Sequence, residues 1–532
     1  MHNVEIIVLL LFGVTFLAIM SARYRFPFPI VLVLSGLAIS LIPGLPSITL
    51  RPDVIFLIFL PPLLYEASWN TSWHTFKANL RSITLASIGL VFFTTVIVGV
   101  LVHTMIPGFS WPMAFLLGAI ISPPDAIAAT SITKGLGLHP RIVTILEGES
   151  LINDASALVA YKYALTAILV GGFSFGEAGL DFFKVFIGGI AIGLAVGYIM
   201  YLVHTRFVCD SIVEVTLTFL TPFASYLVAE QFHLSGVLAV VTTGLYLSFR
   251  SAQMFTHQSR MQTYAVWEVV SFILNGLVFI LMGLQLKTIV KDFDNSYTVK
   301  LVSYGVIIGL VALVVRFVWT VPAVFLPRML SKRIRESEEF DRRNVLIFIW
   351  AGMRGIVSMA AALSLPLSLQ TGSPFPYRSE IIFLTFCVIL FTLIFQGLTL
   401  PRIIKKLKLP KHSILAEEYT VRTQLINDMK EYVDGQLPNL GEDVRSLLHQ
   451  KYDGRNTLLQ QTNLPKVEKK GVSPSTAIFN QFVETELELL EIERFHANEL
   501  RKTGKASEQV IRKIEREIDL EESRLRLELY TD

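Results

Sequence analysis

Long apolar runs separated by short polar segments fill residues 1 to about 400, and the pattern then changes to alternating charge. A helix needs roughly 20 apolar residues to cross a bilayer, and about thirteen runs approach that length. They fall near 4–22, 28–45, 52–69, 80–106, 111–131, 141–166, 180–205, 211–231, 235–250, 263–288, 298–328, 344–368 and 379–400. The first run has no basic region ahead of it and no small-residue cleavage site, which reads as a retained span. Beyond it the pattern predicts an all-α polytopic membrane domain over residues 1–408 and a helical cytoplasmic tail over 409–532. In the tail, "VETELELLEIERFHANELRK" and "ASEQVIRKIEREIDLEESRLRLEL" carry apolar residues at helical spacing among charges. They predict a pair of amphipathic helices that pack on each other or on a partner subunit. Residues 437–475, with several Pro, Gly and Asn, read as a linker.

Composition agrees with a membrane protein. The 532 residues are 52% hydrophobic and 17% charged, with a mean hydropathy of +0.56, whereas soluble chains carry about 25% charged residues. A net charge of +3 is too small to suggest a nucleic-acid partner. Cys209 and Cys387 both lie in apolar runs, so neither a disulfide framework nor a zinc site is expected. With the N-terminus outside, the inner loops hold Arg23, Arg25, Lys77, Arg81, Lys134, Arg141, Arg206, Arg250, Arg260, Arg328, Lys332, Arg333, Arg335, Arg342 and Arg343. The outer loops hold Arg51, Lys184, Lys287, Lys291, Lys300 and Arg378, fifteen against six. Positive residues favour the cytoplasmic side, which predicts N-out, C-in.

Candidate chemistry lies in the polar residues that interrupt the apolar runs, because ionisable groups at membrane depth are costly and face cavities or partners. In "EGESLIND", Glu149 lies ~12 Å and Asp154 ~20 Å into a helix entered near Arg141, at ~1.5 Å per residue. Glu149 with Asn153, and Ser150 with Asp154, are four apart and share a face. Such an oxygen-rich wall suits a hard cation. "AIISPPDAIAAT" places Asp125 directly after Pro123 and Pro124. Two consecutive prolines predict a broken helix, whose free carbonyls are tolerated only beside protein or a water-filled cavity.

In "WAGMRGIVSMA", Arg354 lies ~15 Å from the inner end of its run. A guanidinium stays charged and needs a partner, and Glu149 at similar depth is the expected one, leaving Asp154 to titrate. Gly352 and Gly355 permit close helix approach. Glu66, after another expected diproline break in "FLPPLLYEAS", is expected to line the inner mouth, either relaying protons or as an interfacial acid. Arg316 is deep and has no evident partner in the sequence. Lys162 is expected to snorkel at an outer helix end, Glu268 to be solvated near an inner one, and His103 and His233 to be interfacial.

These segments together resemble one family. Residues 119–165 look like the core of the cation/proton antiporter-1 family, which includes NhaP-type bacterial antiporters and animal sodium/proton exchangers. "GMRGIVSMA" resembles its arginine helix, "FLPPLLYEA" its early acidic helix, "EQFHLSGVLAV" a mid-chain stretch, and "FTLIFQGLTLP" the second broken helix. The likeness covers about residues 4–410. It implies inverted repeats with discontinuous helices, a mobile core domain, a dimer domain and elevator-like alternating access. It further implies that Asp154 binds both cation and proton, beside Asn153, where electrogenic relatives carry a second Asp. Asp125 and Ser150 would join the Na⁺ shell, and Glu149 would pair with Arg354. Many members have Thr-Asp-Pro where this chain reads Pro124-Asp125-Ala126, so only the Pro124 carbonyl could serve as a ligand there.

The function expected is electroneutral 1:1 exchange of Na⁺ for H⁺ across a bacterial inner membrane by a homodimer, serving pH and Na⁺ homeostasis. It needs no cofactor, and its partners are the two ions and membrane lipid. K⁺ or Li⁺ as the cation, or a passive channel or sensor, are the alternatives. An intramembrane aspartyl protease lacks support because its Gly-x-Gly-Asp signature is absent and Asp125 follows a diproline instead, and a rhomboid-like protease because Ser150 has no His partner at its depth.

Overall fold

The computed structural model describes residues 2–24, 26–42, 52–71, 73–78, 80–133, 140–170, 175–208, 210–290, 293–330, 342–369, 372–407, 414–435, 440–460 and 476–529. Of the expected loop charges, Arg25, Arg51, Lys134, Lys291, Lys332, Arg333 and Arg335 lie outside these residues. The described chain is helical throughout, with an isolated bridge between Ser368 and Pro374 as its one β feature. Contacts divide it into two compact units: Met1–Met254 with Thr263–Pro410, and Phe255–Gln262 with Lys411–Asp532.

The first unit contains α1 (His2–Tyr24), α2 (Phe28–Ser40), α3 (Pro52–Asn70), α4 (Trp73–Ala78), α5 (Leu80–Thr84), a π-helical turn (Leu85–Gly89) and α6 (Leu90–Met105). Then come α7 (Trp111–Ile121), α8 (Ala126–Thr133), α9 (Pro140–Val170), α10 (Phe175–Phe207), α11 (Ser211–Gln231) and α12 (Gly236–Met254). It ends with α13 (His257–Val290, whose first residues belong to the second unit), α14 (Asn295–Leu330), α15 (Arg342–Trp350), α16 (Ile356–Leu363) and α17 (Arg378–Leu407). Six described helical segments are long and apolar enough to cross a membrane: Ser87–Met105, Phe183–Phe207, Ser211–Gln231, Ser259–Gln285, Asn295–Phe325 and Arg378–Leu407. Val8–Tyr24, Phe28–Ser40 and Trp111–Ile121 are shorter apolar helices. Large side chains such as Phe12, Phe183, Ile212 and Phe317 are exposed on these helices, as expected where the surrounding medium is hydrocarbon.

One cluster packs α3, α10, α11 and α12 together, and another packs α6 and α7 on α9, and α14 on α17. Gly36 of α2 and Gly283 of α13 meet backbone to backbone, so a Cβ at either would overlap the facing chain. That approach lets van der Waals packing hold helices together where lipid supplies no hydrophobic drive.

Two expected breaks are absent. Pro61 and Pro62 lie inside a continuous α3, and Pro401 inside a continuous α17, so "FTLIFQGLTLP" is not the second broken helix. A proline removes one intrahelical donor, and neighbouring helices can accommodate that loss inside a membrane protein. The second break lies instead at residues 351–355, between α15 and α16.

The second unit holds α18 (Ile414–Gly435), α19 (Glu442–Gln460), α20 (Thr476–Lys502) and α21 (Glu508–Leu529). The expected linker is thus helical over Glu442–Gln460, and residues 461–475 lie outside the described ones. Two apolar clusters form its core, one around Leu425, Val483, Ile511 and Ile514, the other around Met429, Val433, Leu448 and Tyr452. α19 therefore has a buried face that the Pro, Gly and Asn content of the segment concealed. Within this unit Asp519 accepts from Arg260 and Arg494, each at 2.9 Å. Burial works to raise the Glu418 carboxyl, but Lys513 and Arg422 outweigh it and hold the group below its ordinary range.

Candidate functional site

The site is built where two helix breaks cross. The chain leaves helix at residues 122–125, between α7 and α8, and at 351–355, between α15 and α16. The backbone N–H of Asp125 donates to the Met353 carbonyl at 2.6 Å, joining the two gaps. Asp125 then caps two helices at once. Its Oδ1 accepts from Ala128 N (3.2 Å) at the start of α8, and its Oδ2 from Ile356 N (3.3 Å) at the start of α16. Helix N-termini present unpaired N–H groups and partial positive charge, which a carboxylate satisfies. Gly355 makes this possible, because a Cβ there would overlap the Asp125 carboxylate.

The opposite charge serves the opposite helix ends. Arg354 donates through Nε to the Ile121 carbonyl (3.1 Å), the last residue of α7, and through Nη1 to the Gly352 carbonyl (2.5 Å). Its backbone N–H donates to Thr392 Oγ1 at 3.2 Å. A buried cation thereby answers carbonyls that the interrupted helices leave free.

The expected Glu149–Arg354 pair is not formed. Glu149 instead accepts two bonds from Arg316 of α14, Nη1 to Oε1 and Nη2 to Oε2, both 2.7 Å. Both side chains are essentially fully buried. Arg316 Nη2 also donates to the Phe348 carbonyl at 3.1 Å, and its guanidinium lies 4.9 Å from the centre of the Phe348 ring. Gly352 leaves the room, since a Cβ at 352 would overlap the Arg316 side chain. The break carries Arg354 to backbone carbonyls, and α14 supplies the partner that Glu149 requires. The π-helical turn adds support, with Ser87 Oγ donating to the Ile83 carbonyl (2.5 Å) and the Glu149 carbonyl (3.2 Å).

On α9, Ser150 follows Glu149. Its hydroxyl donates to the Pro124 carbonyl (3.2 Å) and accepts from Ala126 N (3.4 Å). Asp154, one turn on, is 6% exposed, and Asn153 beside it is fully buried. A cavity of about 210 Å³ gathers Glu66, Pro124, Asp125, Ser150 and Asp154. Glu66 accepts from Asn70 Nδ2 at 2.6 Å on the continuous α3. Asp154, Asp125, Ser150, Pro124 and Glu66 thus line one cavity, whereas Asn153, expected beside the ion, is buried outside that lining, as are Glu149 and Arg354. Lys162 does reach an exposed position, where it pairs with Glu230 at 2.8 Å.

Asn70, Thr130, Glu147, Ser271, Asn275 and Ser358 also line this cavity and were not singled out by sequence reasoning. Ser271 and Asn275 did carry a signal, two polar residues four apart in the apolar run "VVSFILNGLVFILMG". The cavity thus offers carboxylate, hydroxyl and carbonyl oxygens, a donor set suited to a small alkali cation or to protons.

Comparison with known proteins gives the family. The model of the family described as sodium/hydrogen exchanger, transmembrane, matches residues 7–406. A sodium, potassium, lithium and rubidium/H⁺ antiporter of Bacillus pumilus is 34% identical over 389 residues, 71% of this chain. The match spans 58% of that longer relative. An Escherichia coli protein named as an uncharacterised Na⁺/H⁺ exchanger is 32% identical over 94% of this chain and 95% of its own length. The solved sodium proton antiporter MjNhaP1 of Methanocaldococcus jannaschii shares the fold, with a TM-score of 0.59 at 19% identity, covering 76% of this chain and 99% of that one. With its membrane helices, its crossed breaks and a family match over 7–406, the chain belongs to the sodium/hydrogen exchanger family.

Proposed function

We propose that this protein exchanges Na⁺ for H⁺ across a bacterial inner membrane, one for one, with Asp154 the carboxylate that both ions use. The observation that carries the reading is the meeting of Asp154, Asp125, Ser150 and Pro124 around one partly enclosed cavity at a double helix break. Burial penalises a bare carboxylate, whereas a bound cation or a proton each relieves the penalty. One carboxylate cannot hold both at once, so the ions exclude each other, and alternating access of the cavity turns exclusion into exchange. Asn153 carries no charge and Glu149 is held by Arg316, and in this reading Asp154 alone trades its proton for the cation, which supports electroneutral stoichiometry. Asp125, Ser150 and the Pro124 carbonyl complete the Na⁺ shell in this reading, and Glu66 relays protons at the mouth. The lysine and arginine asymmetry supports an N-out, C-in chain, and the family likeness a homodimer. The Bacillus pumilus relative is named for four alkali cations, which supports K⁺ and Li⁺ as further substrates at the same site.

Proton flux in everted membrane vesicles tests the reading, with Na⁺, K⁺ and Li⁺ added in turn over a range of pH. Na⁺ is expected to release an imposed proton gradient, and Asp154→Asn to abolish the release while the protein still inserts. Na⁺ movement without proton counterflow, or wild-type rates in Asp154→Asn, would contradict it.

A further inference from the structure

The oxygens already assigned to the site are partly engaged by the protein itself. Asp125 accepts from two helix starts, and Ser150 is held between Pro124 and Ala126. A second set on α13 is not engaged in this way. Ser271 and Asn275 are four residues apart and share a helical face. Both line the cavity that holds Asp154. Ser271 is 8% exposed, and neither its hydroxyl nor Asn275 Oδ1 has a hydrogen-bond partner among the described residues. A buried oxygen left unpaired is destabilising, so two on one face of a cavity point to something that the cavity admits.

The face is also braced. Gly276, next to Asn275, packs so closely on Val14 of α1 that a Cβ would overlap it, and Gly283 two turns on meets the α2 backbone. Such packing holds the two oxygens in place instead of letting them follow a ligand. A rigid array of neutral oxygen dipoles discriminates among alkali cations by the number and field strength of its ligands, with little effect on a proton, which needs one carboxylate.

We propose that Ser271 and Asn275 form a neutral cation-binding face that completes the coordination of the transported ion and sets the preference among Na⁺, Li⁺ and K⁺. The inference rests on the exchange reading above and assigns α13 a part in it.

Reconstituted protein distinguishes the two. In proteoliposomes, apparent KM for Na⁺, Li⁺ and K⁺ would be compared between wild type, Ser271→Ala, Asn275→Leu and Asn275→Ser. Asn275→Leu is expected to raise KM for Na⁺ by about tenfold, the loss of one good polar contact, and KM for K⁺ by less. Asn275→Ser, which keeps an oxygen, is expected to recover part of the Na⁺ preference, and the pH at half-maximal rate is expected to stay in place. Ser271→Ala removes a hydroxyl with little change of volume, so it tests the face even if Asn275→Leu fails to fold. KM ratios unchanged in both positions, or raised equally for all three cations, would overturn the proposal. Wild-type protein that moves no protons on cation addition would instead overturn the exchange reading.

Discussion

At the scale of single residues, the crossing depends on two charged side chains and one missing Cβ. Asp125 answers the positive starts of α8 and α16, while Arg354 answers the carbonyl ends of α7 and the 351–355 gap. Each charge offsets a helix end, so the double break can stay buried. Gly355 is required by close approach, because its backbone lies against the Asp125 carboxylate. Gly355→Ala is therefore expected to displace Asp125 and lower the exchange rate by more than about tenfold, a loss typical of a ligand misplaced by an ångström. Flux per inserted molecule measures this, and a rate within twofold of wild type would contradict it. The carboxylates themselves were legible in the sequence, since Asp125 and Asp154 stand out against apolar neighbours and a proline pair. Ser271 and Asn275 were harder to see, being uncharged and in a run that contains no break.

At the scale of elements, the Glu149–Arg316 pair links α9 to α14 with two short bonds and no solvent contact. Removing one partner of such a pair leaves an uncompensated buried charge at a cost of about 3–5 kcal/mol, whereas replacing both with apolar groups is often near neutral. Arg316→Met is thus expected to lower the thermal stability of detergent-purified protein sharply, and Arg316→Met with Glu149→Leu to restore most of it. Equal destabilisation by the single and double variants would show that the pair does not act as a unit. The pairing was not legible beforehand. Depth along each helix placed Glu149 and Arg354 level, but partner choice depends on where the second helix breaks. The likeness of "FTLIFQGLTLP" pointed to a break in α17, and the break lies at residues 351–355, where no proline marks it. Likewise, the Pro61–Pro62 pair sits inside an unbroken α3, because a helix buried among others can lose two donors and continue.

At the scale of the whole molecule, the division between apolar and charged sequence foretold a helical membrane part and a helical tail. The tail's four helices exceed the two expected, since the buried face of α19 only becomes visible in its packing around Leu448 and Tyr452. The family likeness stated from the motifs matches the family model over residues 7–406. The central claim is that proton and cation compete for Asp154. The most direct measurement is the dependence of Na⁺-driven proton exchange on Na⁺ concentration at a series of pH values in proteoliposomes. Competition predicts that apparent KM for Na⁺ rises as pH falls, approaching about tenfold per pH unit on the acid side, while the maximal rate holds steady and Asp154→Asn shows no exchange at any pH. A maximal rate that falls with pH at constant KM, or exchange that persists in Asp154→Asn, would contradict the account.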